Sequence, residues 1–370
     1  MKKALCLILV LVLSFVLFAC GGNTTTTPPT TANSPNSPAT SPVDSSPNAG
    51  SEYPWNPDNI GNHTFILAHG FVESSMTSQQ YNEFAVKVSE LSGGKMFVDQ
   101  KIGGTLLLDT ETLDAVRMGT VDFIHSKGSF VSGTITDLSP ITIAGYYGGD
   151  NWLGFVEDLR PVMSGIYADY GIKYLGALND NYSVIANTIK PITSPEDVIG
   201  MSFRASGTWL SKTVEAWGGA ATVISLADLP DAFNRGTVDG VMTSWSVVVP
   251  FSIYEVTRYI TTTTMVEGWA ALVMNLDRWN ELNSDEQALI QYAASYFQEY
   301  SKELGEKFAA EYLDMLKNSD RNEVISLTPA QEAEFIDRAF SLFPQIEVEE
   351  KLSEKGFELI RLLKEANGLS

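Results

Sequence analysis

Apolar and polar residues follow two alternating periods along residues 63–126. Short apolar runs typical of buried strands alternate with longer segments in which apolar residues recur every three or four positions, as on one helix face. In chain order these segments read HTFILAH, YNEFAVKVSELSGG, KMFVDQKI, LLLDTETLDAVRMG and TVDFIHS. The order strand, helix, strand, helix, strand predicts an α/β unit with a parallel sheet.

The same order of elements returns in the second half, in MSFRA, TWLSKTVEAWGG, AATVIS, LADLPDAFNRG and TVDGVMTS. One phrase recurs almost letter for letter, as DAVRMGTVDF at 114–123 and DAFNRGTVDG at 231–240. In each copy a helix runs into a glycine, Gly119 or Gly236, and we expect these to adopt the left-handed conformation that ends a helix. Chance resemblance between two common helix-to-strand joints is one explanation. The repeated order of elements favours two similar lobes.

The rest of the chain is predicted to complete both lobes. Residues 261–279 form an apolar stretch long enough for a strand that crosses between lobes, and the segments after Ser284 have helical spacing. The aromatic faces of these helices are explained either by packing against the lobes or by binding of a partner protein. We therefore divide the body into lobe I (first part, 53–185), lobe II (186–262) and a hinge-crossing strand with C-terminal helices (263–370).

The N-terminus has the pattern of an export signal. Lys2 and Lys3 precede an apolar run that ends at Ala19, so residues 1–19 are predicted to be a signal peptide. The letters LFAC followed by two glycines resemble a bacterial lipobox, which implies cleavage before Cys20 and lipidation of its thiol. Phe18 is bulkier than the residue usual at that place, and an uncleaved membrane anchor is the alternative. Either arrangement tethers the chain to the cell membrane, outside the cytoplasm.

Composition narrows the functional classes. Residues 20–52 are rich in Thr, Pro, Ser and Asn, which predicts a disordered linker after the lipidated cysteine. The second cysteine, Cys6, lies in the signal, so the mature protein would lack disulfides and cysteine metal ligands. The net charge is −21, without a Lys/Arg cluster, which makes nucleic acid a poor partner.

Catalytic and cofactor motifs are missing from the sequence. We find no G-x-S-x-G, no H-E-x-x-H and neither glycine-rich nucleotide signature. His63, His69 and His125 share the first half of the chain but lack a close metal-ligand spacing. We therefore expect no enzymatic activity, no cofactor and no metal, with a secreted hydrolase as the less favoured reading.

Five phrases in order give the chain a family resemblance: FAVKVSELSGGKMFV, LDAVRMGTVDF, KPITSPEDVIGMSFRAS, LPDAFNRGTVDG and VMNLDRWNELNSDEQALIQYAA. They resemble the extracytoplasmic substrate-binding proteins of tripartite ATP-independent periplasmic (TRAP) transporters, DctP-type, from about His63 to Ala294. The resemblance implies a Venus-flytrap fold, in which two α/β lobes joined by hinge strands close over one organic anion, usually a carboxylate. The ligand then passes to a membrane permease driven by an ion gradient.

The resemblance places Arg204 on the family's strand-end arginine, which pairs with the ligand carboxylate. A guanidinium suits this task, because its planar fork of donors matches two carboxylate oxygens and it stays charged when desolvated. An ordinary surface ion pair is the alternative. After the second GTVDG this chain departs from many relatives, so Thr243 or Ser244 is expected to replace their asparagine and Trp245 to form a stacking wall.

A second cationic clamp is predicted to be missing. Many relatives carry an arginine before the KPI phrase, whereas residues 179–187 (NDNYSVIAN) contain none, which argues against a dicarboxylate. Lys127 either adds a second positive charge to the cleft or lies on the surface. Aromatic walls for the ligand, with core packing as the alternative, are predicted from Phe71, Trp152, Tyr182 and Trp209.

These observations predict a lipid-anchored receptor that captures an organic acid and delivers it to TRAP permease subunits. The expected ligand is a monocarboxylate, with aromatic or branched acids included. We expect a monomer, with a dimer as the alternative state. A lipoprotein of the same fold that reports its ligand to a membrane sensor is the second reading.

Overall fold

A computed structural model of the chain describes residues 53–145, 151–180, 183–265 and 270–368. The predicted signal peptide, the lipidation site Cys20 and the linker lie outside the described residues, and so does Tyr182. The described residues belong to one compact unit, Gly50–Ser370. None of the helices described in this unit is both long enough and apolar enough to cross a bilayer.

Eleven strands in the described part of the chain build two sheets. They are β1 (His63–Ala68), β2 (Met96–Lys101), β3 (Phe123–Lys127), β4 (Ile172–Ala177), β5 (Ser183–Asn187), β6 (Ser202–Ala205), β7 (Ala220–Val223), β8 (Gly240–Ser244), β9 (Tyr259–Thr262), β10 (Ala270–Asn275) and β11 (Glu323–Ser326). The first sheet has the order β2-β1-β3-β10-β4 and the second β11-β9-β5-β8-β6-β7. We call each sheet with the helices packed on it the first and the second lobe.

Each lobe is built around three parallel strands. β1 pairs in parallel with β2 and β3, and β6 pairs in the same way with β7 and β8. β10 is antiparallel to both its neighbours in the first sheet, as β5 is in the second. The predicted α/β class with two lobes is confirmed, and both sheets are mixed rather than wholly parallel.

Thirteen α-helices lie on these sheets in the described residues. They are α1 (Met76–Leu91), α2 (Thr112–Arg117), α3 (Gly128–Val131), α4 (Trp152–Ala168), α5 (Thr208–Ala216), α6 (Leu229–Asn234), α7 (Trp245–Val248), α8 (Ile253–Val256), α9 (Leu276–Asn280), α10 (Ser284–Lys317), α11 (Pro329–Phe340), α12 (Phe343–Glu349) and α13 (Glu354–Ala366). Both faces of the first sheet are covered, since adjacent Phe123 and Ile124 of β3 belong to different apolar clusters.

The C-terminal part connects the lobes. The predicted single crossing strand is instead two strands, because β9 pairs in the second sheet and β10 in the first. α10, at 34 residues and about 50 Å, packs on α1 and β4 in the first lobe and on β11 in the second. Phe297 of α10 and Phe335 of α11 are fully buried in apolar clusters, so the aromatic faces of these two helices pack against the lobes at these positions.

The repeated phrase makes the same local structure in both lobes. Gly119 and Gly236 have φ values of 71° and 65°, which confirms the predicted left-handed residues. The amide of Asp122 donates to the carbonyl of Ile66 (2.9 Å), and its carboxylate accepts from the amide of Ile66 (2.7 Å).

Asp239 forms the matching pair with Ser202, at 2.7 and 2.8 Å. Each aspartate therefore binds the start or middle of the neighbouring parallel strand and fixes the position of the strand that follows it. Those strands, β3 and β8, both end at the same cavity.

Candidate ligand-binding site

A cavity lies between the two lobes, where β3, β6 and β8 end. It has an empty volume of about 260 Å³ and is lined by Phe71, His125, Lys127, Phe130, Asp180, Arg204, Ser206, Leu226, Thr243, Ser244 and Val247. Five of the eight predicted ligand residues are in this set: Phe71, Lys127, Arg204, Thr243 and Ser244. Tertiary folding thus brings together side chains that are up to 173 residues apart in the sequence.

Arg204 lies near the end of β6 and is 1% exposed. Its Nε donates to the carbonyl of Ile224 at 2.8 Å, which holds the guanidinium in place beside the cavity. Arg204 interacts electrostatically with Asp109 of the first lobe. Burial raises the pKa of the Asp109 carboxyl, and the Arg204 charge opposes that rise. Arg204 is therefore a buried cation and not a surface ion pair.

Lys127, the last residue of β3, is buried as well. Its Nζ lies 2.9 Å from Oδ2 of Asp180, and each side chain is 5% exposed. Burial raises the pKa of Asp180, but Lys127, His125 and a hydrogen bond from Ser244 outweigh that effect and leave it below its usual value. The pair is thus a buried ion pair in the cavity wall, and the surface alternative for Lys127 is ruled out.

His125 contributes a neutral polar group to the wall. Burial lowers its pKa to about 4; the Asp180 charge opposes this and the Lys127 charge adds to it. Nδ1 lies 3.0 Å from the Tyr81 hydroxyl, and burial raises the pKa of Tyr81, so that hydroxyl keeps its proton. If Tyr81 donates to Nδ1, the imidazole proton is on Nε2, which has no hydrogen-bond partner among the described residues.

Hydroxyl groups complete the polar lining. Thr243 and Ser244 end β8 and are 1% and 2% exposed. Within the described residues, Ser206 Oγ, two positions after Arg204, also has no hydrogen-bond partner. Buried polar groups normally find partners, so Ser206 and His125 are the groups to which a ligand could supply one.

Three predicted aromatic walls are placed elsewhere. Trp209 is 1% exposed, packs in the first lobe's core and donates from Nε1 to Glu350 at 2.6 Å. Trp245 packs in the second lobe's core, with its ring 6.5 Å from that of Tyr312. Trp152 is likewise a core residue of the first lobe. For these three, the alternative of core packing is the one observed.

Phe71 is the predicted aromatic residue that lines the cavity, with its ring 5.1 Å from that of His125. Sequence reasoning missed Asp180, Phe130, Ser206, Leu226 and Val247, and it considered His125 only as a metal ligand. Asp180 follows β4 closely, so a systematic look at residues after each strand would have found it. The described residues contain no group of three or more His, Cys, Asp or Glu side chains placed to hold a metal.

Comparison with known proteins identifies the architecture. Residues 153–349 match the model of the bacterial extracellular solute-binding proteins, family 7 (DctP). The chain belongs to this family. It is therefore an extracytoplasmic solute-binding protein of the TRAP type and not an enzyme.

Relatives support the assignment along most of the chain. The ectoine-binding periplasmic protein TeaA of Halomonas elongata is 25% identical over 273 residues, which cover 70% of this chain and 78% of TeaA. The C4-dicarboxylate-binding protein DctB of Bacillus subtilis is 21% identical over 297 residues, or 76% and 82% of the two chains.

Solved structures share the fold. The sugar acid binding protein DctPAm from Advenella mimigardefordensis, in complex with galactonate, superposes with a TM-score of 0.74 at 19% identity, covering 83% of this chain and 99% of that one. The ectoine-binding protein of the TeaABC TRAP-transporter gives the same TM-score and coverage at 23% identity. At these identities the comparison establishes the arrangement of the chain.

Proposed function

We propose that this protein captures a small organic acid with one carboxylate and delivers it to a TRAP-type permease. The observation that carries the proposal is the buried guanidinium of Arg204 on the cavity wall. A guanidinium stays charged when it is desolvated, and its planar fork of donors matches the two oxygens of a ligand carboxylate. The names of relatives and structural neighbours give ectoine, C4-dicarboxylates and galactonate as their ligands. These ligands all carry a carboxylate, which supports an organic acid as the ligand class.

The remaining lining restricts the acid further. Phe71, Leu226 and Val247 offer an apolar surface, while Ser206, Thr243, Ser244 and His125 offer neutral hydrogen bonds. The proposed ligand is thus a monocarboxylate with an apolar, branched or aromatic part, contacted by Arg204 and these groups, with Tyr182 kept as a further predicted contact.

We also propose that Cys20 is lipidated and keeps the receptor at the membrane, next to its permease. The lipobox-like letters before Cys20 and the linker that follows it support this. Metabolic labelling with a palmitate analogue is the measurement: label should enter the wild-type chain and be absent from Cys20→Ser.

A thermal-shift screen of the full-length chain tests the ligand class. The panel contains monocarboxylates, dicarboxylates, aromatic acids, sugar acids, neutral sugars and amines. A ligand at 100 times its Kd adds about 2.7 kcal/mol of stability, which is enough to detect. We expect stabilisation by monocarboxylates. Stabilisation by sugars or amines, with every acid inactive, would overturn the proposal and leave only the family assignment.

A further inference from the structure

The cavity wall holds a carboxylate of its own. Asp180 lies in the connection from β4 of the first sheet to β5 of the second, and its side chain reaches Lys127 at the end of β3. The Nζ to Oδ2 distance is 2.9 Å, and both side chains line the cavity that Arg204 lines from the other sheet. A second cation is therefore present, but it already has an anion.

The oxygens of Asp180 are fully engaged. Oδ2 binds Lys127, while Oδ1 accepts from the Thr77 hydroxyl at 3.3 Å, and Ser244 donates a further hydrogen bond. Asp180 is thus held on several sides, as a ligand carboxylate would be. The shortest of these contacts is to the Lys127 ammonium, so the charge of Asp180 is directed toward Lys127.

Charge on the wall follows from this pairing. Lys127 and Asp180 carry opposite charges 2.9 Å apart, so this pair adds no net charge to the wall. His125 adds none at neutral pH, because burial lowers its pKa to about 4. Asp109 interacts with Arg204 but is not among the lining residues, and burial raises the pKa of its carboxyl.

We propose that Asp180 takes the place of a second ligand carboxylate and thereby makes the receptor select monocarboxylates over dicarboxylates. A second carboxylate in the cavity would meet Asp180 at close range and would find Lys127 already neutralised. Repulsion and desolvation then act against the dicarboxylate, which is an effective way to reject a ligand. This inference rests on the proposed function.

Isothermal titration of the full-length chain with matched acids tests the inference. Butyrate and succinate have the same number of carbons and differ in one carboxylate, and pairs from three to six carbons extend the series. The wild type should prefer the monocarboxylate of each pair that binds. Asp180→Asn removes one negative charge from the wall, and the preference for the monocarboxylate should fall at least tenfold.

Two further variants separate charge from damage to the fold. In the double variant Asp180→Asn with Lys127→Gln the wall carries the same net charge as in the wild type, and the preference should return toward the wild-type ratio. In Lys127→Gln the wall loses one positive charge, and discrimination against dicarboxylates should increase. If Asp180→Asn does not fold, the double variant and Lys127→Gln still give opposite expectations.

Asp231→Asn is the matched control, since Asp231 is 72% exposed and pairs with Arg235 on the surface. It changes the total charge by the same amount and should leave the preference unchanged. A wild-type chain that binds both acids of a pair equally, or an Asp180→Asn variant that keeps its preference, overturns the role of Asp180 while acid binding stands. Failure of every acid to bind the wild type overturns the proposed function itself.

Discussion

Gly207 and Ser129 bring the backbones of the two lobes into direct contact. A Cβ atom on Gly207 would lie 2.0 Å from the carbonyl oxygen of Ser129. Gly207 immediately precedes α5 in the second lobe, and Ser129 lies in α3 of the first. The φ of Gly207, 179°, is extended and accessible to any residue. Glycine is therefore needed here because the two backbones approach closely, and not because of its backbone conformation. The contact is next along the chain to Ser206 and two residues from Lys127, both of which line the cavity.

Gly207→Ala should therefore hold the lobes apart. We expect at least a tenfold loss of affinity for the acid found in the screen, with both lobes still folded, and a larger radius of gyration by small-angle X-ray scattering. Gly133→Ala is the control, because a Cβ there meets nothing within 4 Å. Unchanged affinity and radius in Gly207→Ala would show that the contact is not needed for closure.

Arg204→Ala should abolish most ligand binding. Removing one partner of a buried, hydrogen-bonded charge pair costs about 2 to 5 kcal/mol of binding free energy. The ligand affinity of Arg204→Lys should lie between those of the wild type and Arg204→Ala, because an ammonium keeps the charge but loses the bidentate geometry. Titration calorimetry measures both, with the exposed Arg235→Ala as control. Wild-type affinity in Arg204→Ala would remove Arg204 from the site.

Acid should destabilise the protein through two buried histidines. Burial, and secondarily the neighbouring His125, lowers the pKa of His69 to about 3, and that of His125 is about 4. In the unfolded chain both titrate near 6.5. Their contribution to stability is therefore complete above pH 6.5 and is lost as the pH falls toward the folded values.

Between pH 7.5 and pH 5 each histidine should cost about 2 kcal/mol of unfolding free energy. Denaturant titrations at the two pH values measure the loss. His125→Gln should remove about half of it, because glutamine does not titrate. An equal loss in wild type and variant would show that His125 is not held neutral by the fold.

The repeated phrase offers an internally matched stability test. Asp122→Ala and Asp239→Ala each leave a strand amide without its carboxylate acceptor, and each should lower the free energy of unfolding by about 1 to 3 kcal/mol. The first aspartates of the same phrase, Asp114 and Asp231, are 73% and 72% exposed. Alanine at either should change stability by no more than about 0.5 kcal/mol. Equal effects within a phrase would contradict the assigned roles.

The amino-acid sequence determined what depends on neighbours along the chain. Hydrophobic period predicted the alternation of strands and helices, and the glycines of the two repeated joints predicted left-handed residues at Gly119 and Gly236. The ordered phrases gave the family, and with it the position of Arg204 at a strand end. These features follow from local backbone preference and side-chain direction, which act over a few residues.

Tertiary structure decided what depends on distant pairs. Trp209, which the sequence predicted to line the cleft, lies in the core and donates a hydrogen bond to Glu350, 141 residues away. Lys127 pairs with Asp180, 53 residues away, and Gly207 lies against the backbone of Ser129. No period in the sequence encodes such pairings, because they arise only when two separately patterned lobes are packed to native density and each buried charge must find a counter-charge.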